Sequence, residues 1–384
     1  MITTGLDSFL SGDHSGRKRI ALLANHTSIT KNISYSWDEF QRNGIKLVKV
    51  FSPEHGLFGE EQDQVAANTG QIGGVPITSL YGLSEASLSP TDEQFKDIDT
   101  VIFDIQDVGT RYYTYAATLI LFMQAISGSK IELVVLDRPN PLGGEIVEGS
   151  MLKTGFGSFV GVTPVPVRHG LTIGEIALQA QKHFNTDVDL KVIKMEGWQR
   201  TMYFDDTGLP WISPSPNMPS LNTALVYPGM CLLEGTNISE GRGTTRPFEI
   251  FGAPFIQADK LLKHPAIKSL KGIRLIPFLF RPTFNKYKGE LCNGLFMHIT
   301  NRSVFEPFKA GVSIIKALFD EYPEFEFLHD VYEFNSVHPA FDLLCGNSNI
   351  REMIISAKTI DEISDTWREE QRKTQLAQKQ FHIY

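Results

Sequence analysis

The chain has 384 residues, of which 42% are apolar and 21% are charged. This balance is typical of a globular protein and excludes a mainly disordered chain. The formal net charge is −8, so the chain lacks the basic excess that nucleic-acid binding requires, and we expect no nucleic-acid partner. No apolar run reaches the ~18 residues of a membrane-spanning helix, and none is predicted.

The N-terminal residues lack the basic start and apolar core of a signal peptide, and we expect none in this chain. The compartment stays open: periplasmic or secreted if a signal was removed, cytoplasmic if the chain is complete as written. The three cysteines, Cys231, Cys292 and Cys345, are too few and too widely spaced for a disulfide framework. Buried free thiols are expected instead.

The first ~150 residues alternate between apolar strands and helical segments. Helices are predicted around Trp37 and Phe40 and over 115–126, and strands are predicted at 20–24, 47–51, 75–81, 100–105 and 131–136. Apolar strands separated by helices indicate a mostly parallel sheet with helices on both faces. We therefore predict an α/β protein with a first domain over 1–150 and a second over 151–384.

The second part is less regular in sequence. Thr172 and Glu175 form a capping box that predicts a helix to His183, and Thr359 and Glu362 form another before a helix from Ile360. A further helix is predicted over 307–319, and strands at 190–195, 225–233, 273–280 and 294–299. The proline-rich stretch 205–220 excludes regular structure, and Trp211 is its predicted anchor.

Polar side chains follow four of the predicted strands. Asn25 and His26 follow the first, Glu54 and His55 the second, Asp107 the strand that contains Asp104, and the stretch 137–140 the last. Ligands of open parallel sheets bind outside the carboxyl ends of the strands, so these residues predict a functional edge. The alternative is that polar residues simply begin loops.

Glu54 is the leading candidate for a catalytic group. It follows Pro53, which stiffens the backbone, and Gly56 lets the chain turn sharply after His55. A rigid mount at a strand end suits a reacting carboxylate. The alternative is a tight loop in which Glu54 caps a backbone amide.

The stretch 103–115 places a carboxylate inside an apolar strand. A buried Asp104 is costly unless it is paired, and Arg111 could pair with it or with Asp107. The pair could equally be structural. Tyr112 and the neighbouring tyrosines could stack on a sugar or simply pack.

Two further stretches carry candidate binding residues. Arg168 and His169 precede a predicted helix start, where an anion is favoured, although a surface arginine is the alternative. The stretch 233–249 combines three glycines, which allow close approach of a ligand, with Glu234, Asn237, Glu240, Arg242, Arg246 and Glu249. Neither a dinucleotide fingerprint nor a P-loop occurs. His26, Asp104 and His169 could bind a metal, but they form no dense cluster, and no metal is expected.

Rigid carboxylates beside arginines and aromatics suit hydrolysis of a glycosidic bond, which needs one carboxyl to protonate the leaving oxygen and a second as nucleophile or base. This chemistry requires no cofactor, and we expect none. Composition alone does not choose it over other hydrolases.

Several long motifs resemble the NamZ-type exo-β-N-acetylmuramidase family: "LLANHTS", "FSPEHGLFGE", "FDIQDVGTRYYTY", "LDRPNPLGG", "PVRHGLTIGE", "GLPWISPSPNMPS", "ALVYPGMCLLEGTNISEGRGTTRPFE" and "PTFNKYKGELCNG". The resemblance spans residues 5 to 305, and the last ~80 residues match less distinctly. It implies a bacterial peptidoglycan-turnover hydrolase that releases N-acetylmuramic acid from the non-reducing end of glycan fragments. It also implies a Rossmann-like first domain, a second α/β domain and an active-site cleft between them.

By resemblance, Glu54 is the general acid/base, and the motifs add Asn217 to the candidate binding residues. Glu240 is the first choice for the second carboxylate, followed by Asp104 or Glu249. Arg111, Arg168, Arg242 or Arg246 could grip the lactyl carboxylate of muramic acid. A muropeptide-binding protein without activity and a hydrolase of another acidic sugar are the competing functions.

Overall fold

The computed structural model describes residues 1–12, 19–62, 65–66 and 70–384. The strands in these residues are β1 Ile20–Ala24, β2 Leu47–Ser52, β3 Gly70–Ile72, β4 Val75–Ser79, β5 Thr100–Asp104, β6 Glu132–Leu136, β7 Glu148–Met151, β8 Pro166–Arg168, β9 Asp189–Ile193, β10 Ile250–Ala253, β11 Ile273–Phe280 and β12 Cys292–Ile299.

The helices in these residues are α1 Gly5–Leu10, α2 Ser36–Arg42, α3 Asp92–Phe95, α4 Thr114–Ala125, α5 Ile173–Phe184, α6 Leu221–Met230, α7 Ala258–Leu261, α8 Pro265–Lys268, α9 Pro307–Glu321, α10 Ala340–Cys345, α11 Asn349–Ile355 and α12 Ile360–Gln378. Among the described residues, no helix is both long and apolar enough to cross a membrane.

Seven strands form the main sheet in the order β3-β4-β2-β1-β5-β6-β9. All neighbouring pairs are parallel except β3 with β4, which is antiparallel at one edge. β1 and β5, near the middle of the sheet, are buried along their whole length, which explains their continuous apolar runs. The mostly parallel α/β architecture predicted from the sequence is confirmed.

The predicted elements of the first 200 residues are confirmed to within a few residues, including the helix that begins with the Thr172–Glu175 capping box. The sheet also extends further along the chain than expected. β9 lies at 189–193, after the predicted domain boundary at residue 150, and pairs with β6. A boundary at residue 150 stays a prediction, and this pairing does not favour it.

The second part contains an antiparallel sheet in the order β10-β12-β11, and a two-stranded sheet is formed by β7 and β8. The helices α6 and α9 cross at two glycines. A Cβ added to Gly229 would lie 1.9 Å from the Pro307 carbonyl oxygen, and one added to Gly311 would lie 2.2 Å from the Gly229 carbonyl oxygen. Only glycine permits the two backbones to approach so closely.

The strand predicted over 225–233 is wrong. The segment forms the end of α6 and a 3₁₀ turn over Cys231–Gly235. Buried residues surround the helix on every side, so its apolar run has no helical period that the sequence could display. The proline-rich stretch after the 3₁₀ turn Phe204–Thr207 is irregular as predicted, and Trp211 packs edge-on against Phe204. The three cysteines are buried free thiols, as predicted.

Residue 384 lies against the first sheet. The Tyr384 hydroxyl donates to Asp137 Oδ2 at 2.8 Å, and the Ile383 amide donates to Glu175 Oε1 at 3.0 Å. Asp137 also accepts from Thr172 Oγ1 and from the Gly174 amide, both at 2.8 Å. The C-terminal residues therefore stabilise the carboxyl end of β6.

Candidate active site

A cleft with about 470 Å³ of space lies where the loops after the main sheet meet the second part of the chain. Both parts contribute to its wall: Glu54, His55, Tyr112, Tyr113, Thr114, Val160, Ser215, Asn217, Met218, Tyr227, Glu234, Arg242, Phe248, Tyr332 and Glu333. Six of these were predicted from the sequence, namely Glu54, His55, Tyr112, Asn217, Glu234 and Arg242.

Glu54 sits in a rigid turn directly after β2. His55 and Gly56 both adopt left-handed backbone conformations, with φ of 70° and 83°. Glu54 is only 3% exposed, and its Oε2 accepts from Thr114 Oγ1 at 2.6 Å. Thr114 is the first residue of α4, so the carboxylate lies near the positive end of a helix dipole.

His26 anchors the loop that carries Glu54. Its Nε2 donates to the Ser213 carbonyl at 2.5 Å, and a Cβ on Gly59 would lie only 2.3 Å from its ring. Burial lowers the pKa of His26, so the ring is neutral near pH 7. His55 Nδ1 donates to the Glu61 carbonyl at 2.9 Å, which fixes the turn from the other side. Both histidines therefore position the loop.

On the opposite side of the cleft, Glu234 is held by two donors. Arg242 Nη2 donates to its Oε1 at 2.7 Å, and the Tyr332 hydroxyl donates to its Oε2 at 2.6 Å. Burial raises the pKa of Tyr332, with a further contribution from Glu234, so the phenol stays a neutral donor. Both oxygens of Glu234 are thereby fixed in position by hydrogen bonds.

Glu240, predicted as the second catalytic carboxylate, does not line the cleft. It is 1% exposed, and its Oε2 accepts from Lys286 Nζ at 3.0 Å. Lys286 also donates to the carbonyls of Leu233 and Ile238, at 2.8 and 3.1 Å. The ion pair thus ties together the backbone behind Glu234.

Asp104 lies at the end of β5 and pairs with Arg138, whose Nε donates to Oδ1 at 2.6 Å. Burial raises the pKa of Asp104, and the Arg138 guanidinium opposes that rise. The expected pairing of Arg111 with Asp104 or Asp107 is wrong. Arg111 is fully enclosed and donates to the carbonyls of Ser150, Val165 and Leu344 at 2.6 to 2.9 Å. It anchors three separate segments.

Arg168 and His169 are buried outside the cleft. Arg168 donates to the Leu142 carbonyl, and His169 Nδ1 accepts from the Leu171 amide at 3.1 Å. His169 Nε2 lies 3.6 Å from Asp107, which also accepts from the Gly109 amide at 2.7 Å. These groups hold the turn that precedes α5.

The remaining candidates are separate from the cleft. Asn25 accepts from the amide and hydroxyl of Thr27, at 2.9 and 2.6 Å. Asn237 Nδ2 donates to the Glu324 carbonyl at 2.7 Å, and its Oδ1 accepts from the Glu326 amide at 3.0 Å. Arg246 and Glu249 line a different pocket of about 590 Å³.

The sequence did not identify the contribution of 332–333. The residues "YEF" at 332–334 carry no glycine, no cluster of charge and no motif spacing that distinguishes them from an ordinary surface loop. Tyr332 and Glu333 reach the cleft only because the chain returns to it after α9. A long-range arrangement of this kind leaves no local signal.

No group of three or more His, Cys, Asp or Glu side chains is placed to hold a metal ion, among the residues that the structure describes. His26, Asp104 and His169 each bond to a different partner, as described above. The wall of the cleft offers acid–base chemistry through the carboxylates of Glu54, Glu234 and Glu333.

A two-part α/β protein with carboxylates in the cleft between its parts has the design of an enzyme that hydrolyses glycosidic bonds. Family models support this class directly. The model "Exo-beta-N-acetylmuramidase NamZ, N-terminal" matches residues 20–222, and the corresponding C-terminal model matches residues 225–384. The chain belongs to the NamZ exo-β-N-acetylmuramidase family. The resemblance seen in the motifs is confirmed, and it extends through the last 80 residues.

Relatives and solved structures agree with this assignment. The chain is 43% identical to the peptidoglycan β-N-acetylmuramidase NamZ of Bacillus subtilis strain 168, over 100% of this chain and 91% of that protein. Two crystal structures of DUF1343 family proteins from Bacteroides fragilis are each 30% identical and cover 100% of this chain and 99% of theirs, with TM-scores of 0.88 and 0.76.

Proposed function

We propose that the chain is an exo-β-N-acetylmuramidase that releases N-acetylmuramic acid from the non-reducing end of peptidoglycan fragments. Membership of the family over both halves of the chain supports the activity. The observation in this structure that supports the activity is the position of Glu54, a buried carboxylate on a rigid turn in the wall of the cleft.

Glu54 acts as the general acid/base in this proposal. Thr114 Oγ1 donates to one carboxyl oxygen, which leaves the group oriented by a neutral hydroxyl at the start of α4. As an acid, Glu54 protonates the glycosidic oxygen while the bond from that oxygen to C1 of the muramic acid breaks. The electron pair of that bond stays on the departing oxygen, and the hydroxyl of a water molecule takes the place of that oxygen at C1.

The other carboxylates proposed from the sequence lie outside the cleft, each next to a basic side chain. Glu240 pairs with Lys286, Asp104 with Arg138, and Glu249 lies 3.4 Å from Arg246 Nη1 in the wall of the other pocket. None of the three lines the cleft together with Glu54. We therefore do not carry these three forward as the second carboxylate.

We propose that Arg242 binds the lactyl carboxylate of muramic acid. Of the four arginines considered from the sequence, it alone lines the cleft. Arg111 and Arg168 are bound to carbonyls, and Arg246 lines the other pocket. Replacing Arg242 with Met should reduce the preference for muramic over glucosamine substrates by at least ~10-fold, because a buried charged hydrogen bond is lost.

Competition kinetics on the matched muraminide and glucosaminide measure this preference. Arg246→Met is the control, because it removes another arginine of the stretch 233–249 that lines the other pocket. An unchanged preference in Arg242→Met would remove Arg242 from the binding site.

The deciding experiment on function measures 4-nitrophenol release from 4-nitrophenyl N-acetylmuraminide. We expect turnover by the wild type and a loss of at least ~100-fold in Glu54→Gln, because removal of a general acid typically costs that much. Glu60→Gln is the matched control: it alters an exposed carboxylate six residues along the same loop and should keep full activity.

Calorimetric titration with a muropeptide separates the enzyme from a binding protein. If the chain is an enzyme, Glu54→Gln should bind the muropeptide without cleaving it. Tight binding by a folded wild type that releases no nitrophenol from the muraminide or from natural fragments would favour the binding protein. Release of nitrophenol only from the glycoside of a different acidic sugar would favour a hydrolase of that sugar.

A further inference from the structure

The turn at 332–335 has an unusual backbone. Tyr332 and Asn335 bond to each other through both backbone pairs, at 3.0 and 2.9 Å. The two residues between them, Glu333 and Phe334, have φ of 46° and 65°. Positive φ at both central positions is the pattern of a type I′ turn, which strongly favours Asn and Gly. Here the positions carry a glutamate and a phenylalanine.

This backbone costs free energy, about 1 kcal/mol or more for each non-glycine residue in the left-handed region. Such conformations persist where surrounding contacts enforce them, and they concentrate at functional sites. A glycine at either position would remove the cost. The sequence instead places side chains there, which directs attention to what those side chains touch.

Both side chains reach the first part of the chain. The Tyr81 hydroxyl donates to Glu333 Oε2 at 3.0 Å, and the Phe334 ring lies 5.7 Å from the Tyr81 ring. Tyr81 follows β4 of the main sheet, whereas Tyr332 bonds to Glu234 of the second part. The 332–335 turn therefore spans the cleft, and Glu333, only 7% exposed, lines it together with Glu54.

Glu333 differs from Glu234, the third carboxylate of the cleft wall. Both oxygens of Glu234 accept hydrogen bonds from the second part of the chain, one from the Arg242 guanidinium and one from the Tyr332 hydroxyl. Glu333 is oriented by a phenol hydroxyl and comes from the other part of the chain than Glu54. Canonical hydrolysis of a glycoside uses two carboxyl groups that flank the scissile glycosidic bond.

We propose that Glu333 is the second catalytic carboxylate and that the strained 332–335 turn exists to place it. The inference rests on the proposed muramidase function and extends it to a residue outside the motifs. Glu333 either attacks C1 of the muramic acid or takes a proton from the water that does so. Glu54 donates its proton to the leaving oxygen in the same step.

The test compares Glu333→Gln with Tyr81→Phe on the nitrophenyl muraminide. Glutamine keeps an oxygen for the Tyr81 hydroxyl, so the turn should fold, yet kcat should fall at least ~100-fold with KM within about threefold. Tyr81→Phe removes the hydrogen bond but keeps the carboxylate and the ring contact, so kcat should fall less than ~10-fold. Thermal unfolding of both variants checks that the fold is intact.

Azide rescue of Glu333→Gly provides a second readout. Glycine adopts the left-handed backbone without strain and leaves space beside C1. Azide then forms a bond to C1 while the bond to nitrophenolate breaks, and we expect at least a tenfold acceleration with formation of the muramyl azide. An inverted configuration at C1 of the azide would place Glu333 on the face opposite the leaving group, as expected of either a nucleophile or a base. The anomeric configuration of the muramic acid that the wild type releases distinguishes these two roles, because a nucleophile gives retention and a base gives inversion.

Several results would overturn the inference. One is a kcat for Glu333→Gln within threefold of wild type. Another is equal loss of kcat and of thermal stability in Glu333→Gln and Tyr81→Phe without azide rescue of the glycine variant, since both changes would then act through the fold. A folded wild type without turnover would overturn the proposed function as well, which separates the two failures.

Discussion

The ends of the strands and the wall of the cleft use the same residue types for different purposes. At the strand ends, Asp104 is neutralised by Arg138, and Asp137 accepts from backbone and hydroxyl groups of two segments. In the cleft, Glu54 and Glu333 are oriented by hydroxyl donors that belong to distant parts of the chain. Because Asp137 is also bonded by distant hydroxyl donors, the difference teaches that position in the wall of the cleft, more than burial or the type of donor, separates the site from the scaffold.

Of the substitutions that test this comparison, Asp104→Ala should cause the largest loss in the free energy of unfolding. The substitution leaves the Arg138 guanidinium buried without its carboxylate, and breaking such a pair costs roughly 3–5 kcal/mol. We expect a loss of that size in the free energy of unfolding, measured by urea denaturation, with kcat of the folded protein within a few-fold of wild type.

Asp205→Ala is the control for that measurement. Asp205 pairs with Arg302 at 2.7 Å on the surface, where its side chain is 56% exposed, and the loss should stay below ~1 kcal/mol. If Asp104→Ala abolished turnover while stability was retained, the strand-end group would belong to the active site and the comparison would break.

A smaller, pH-dependent effect is expected for Glu148→Gln. Glu148 is 3% exposed, and its Oε1 accepts from the Lys309 amide at 2.9 Å. Burial raises its pKa to about 8, against the Lys309 amide and the charge of Arg168. In the folded state this carboxyl therefore keeps its proton at neutral pH.

The sign follows from the raised pKa of Glu148. Its contribution to stability is full below its unfolded value of about 4.5 and is lost as the pH rises through about 8. Glutamine mimics the protonated form. The free energy of unfolding of Glu148→Gln should therefore rise relative to that of the wild type between pH 5 and 8, by a few kcal/mol at most. Melting temperatures over that range measure the gain. A constant difference between the two proteins would contradict the assignment.

The smallest effect is expected for Asn237→Ala, which sharpens the boundary of the site. Asn237 was a candidate binding residue, but its amide caps the backbone at 324 and 326. Loss of these hydrogen bonds should cost about 1 kcal/mol of stability and leave KM for the muraminide unchanged. A several-fold rise in KM without loss of stability would place Asn237 among the binding residues after all.

Much of the fold was predictable because the strands of a parallel sheet are buried on both faces. β1 was predicted residue for residue from its apolar run, and β2, β5 and β6 to within a residue at each end. The same rule failed at 225–233, where a helix enclosed on all sides also reads as a continuous apolar run. Only the partners of a segment separate these two cases, and partners are set by tertiary structure.

The candidate site was predictable where a local backbone constraint marks it. Pro53 and Gly56, on either side of Glu54, indicate a rigid turn. The glycine-rich stretch brings Glu234 and Arg242 to the cleft. Glu240 and Asp104 could not be excluded from sequence, because Lys286 and Arg138, which pair with them, lie 46 and 34 residues away. Charge neutralisation across such separations has no signature in the chain.

The hydrogen bond between Asp137 and Tyr384 joins residues 247 positions apart. At about 5–20 residues per second, a ribosome needs roughly 12 to 50 s to add that length of chain, 247 residues. While the second part of the chain is synthesised, Asp137 at the carboxyl end of β6 therefore lacks one of its hydrogen-bond donors, the Tyr384 hydroxyl. During that interval the first sheet is exposed to chaperones and proteases in an incomplete form. A nascent chain halted before residue 384 should accordingly be cleaved faster than one that includes Tyr384.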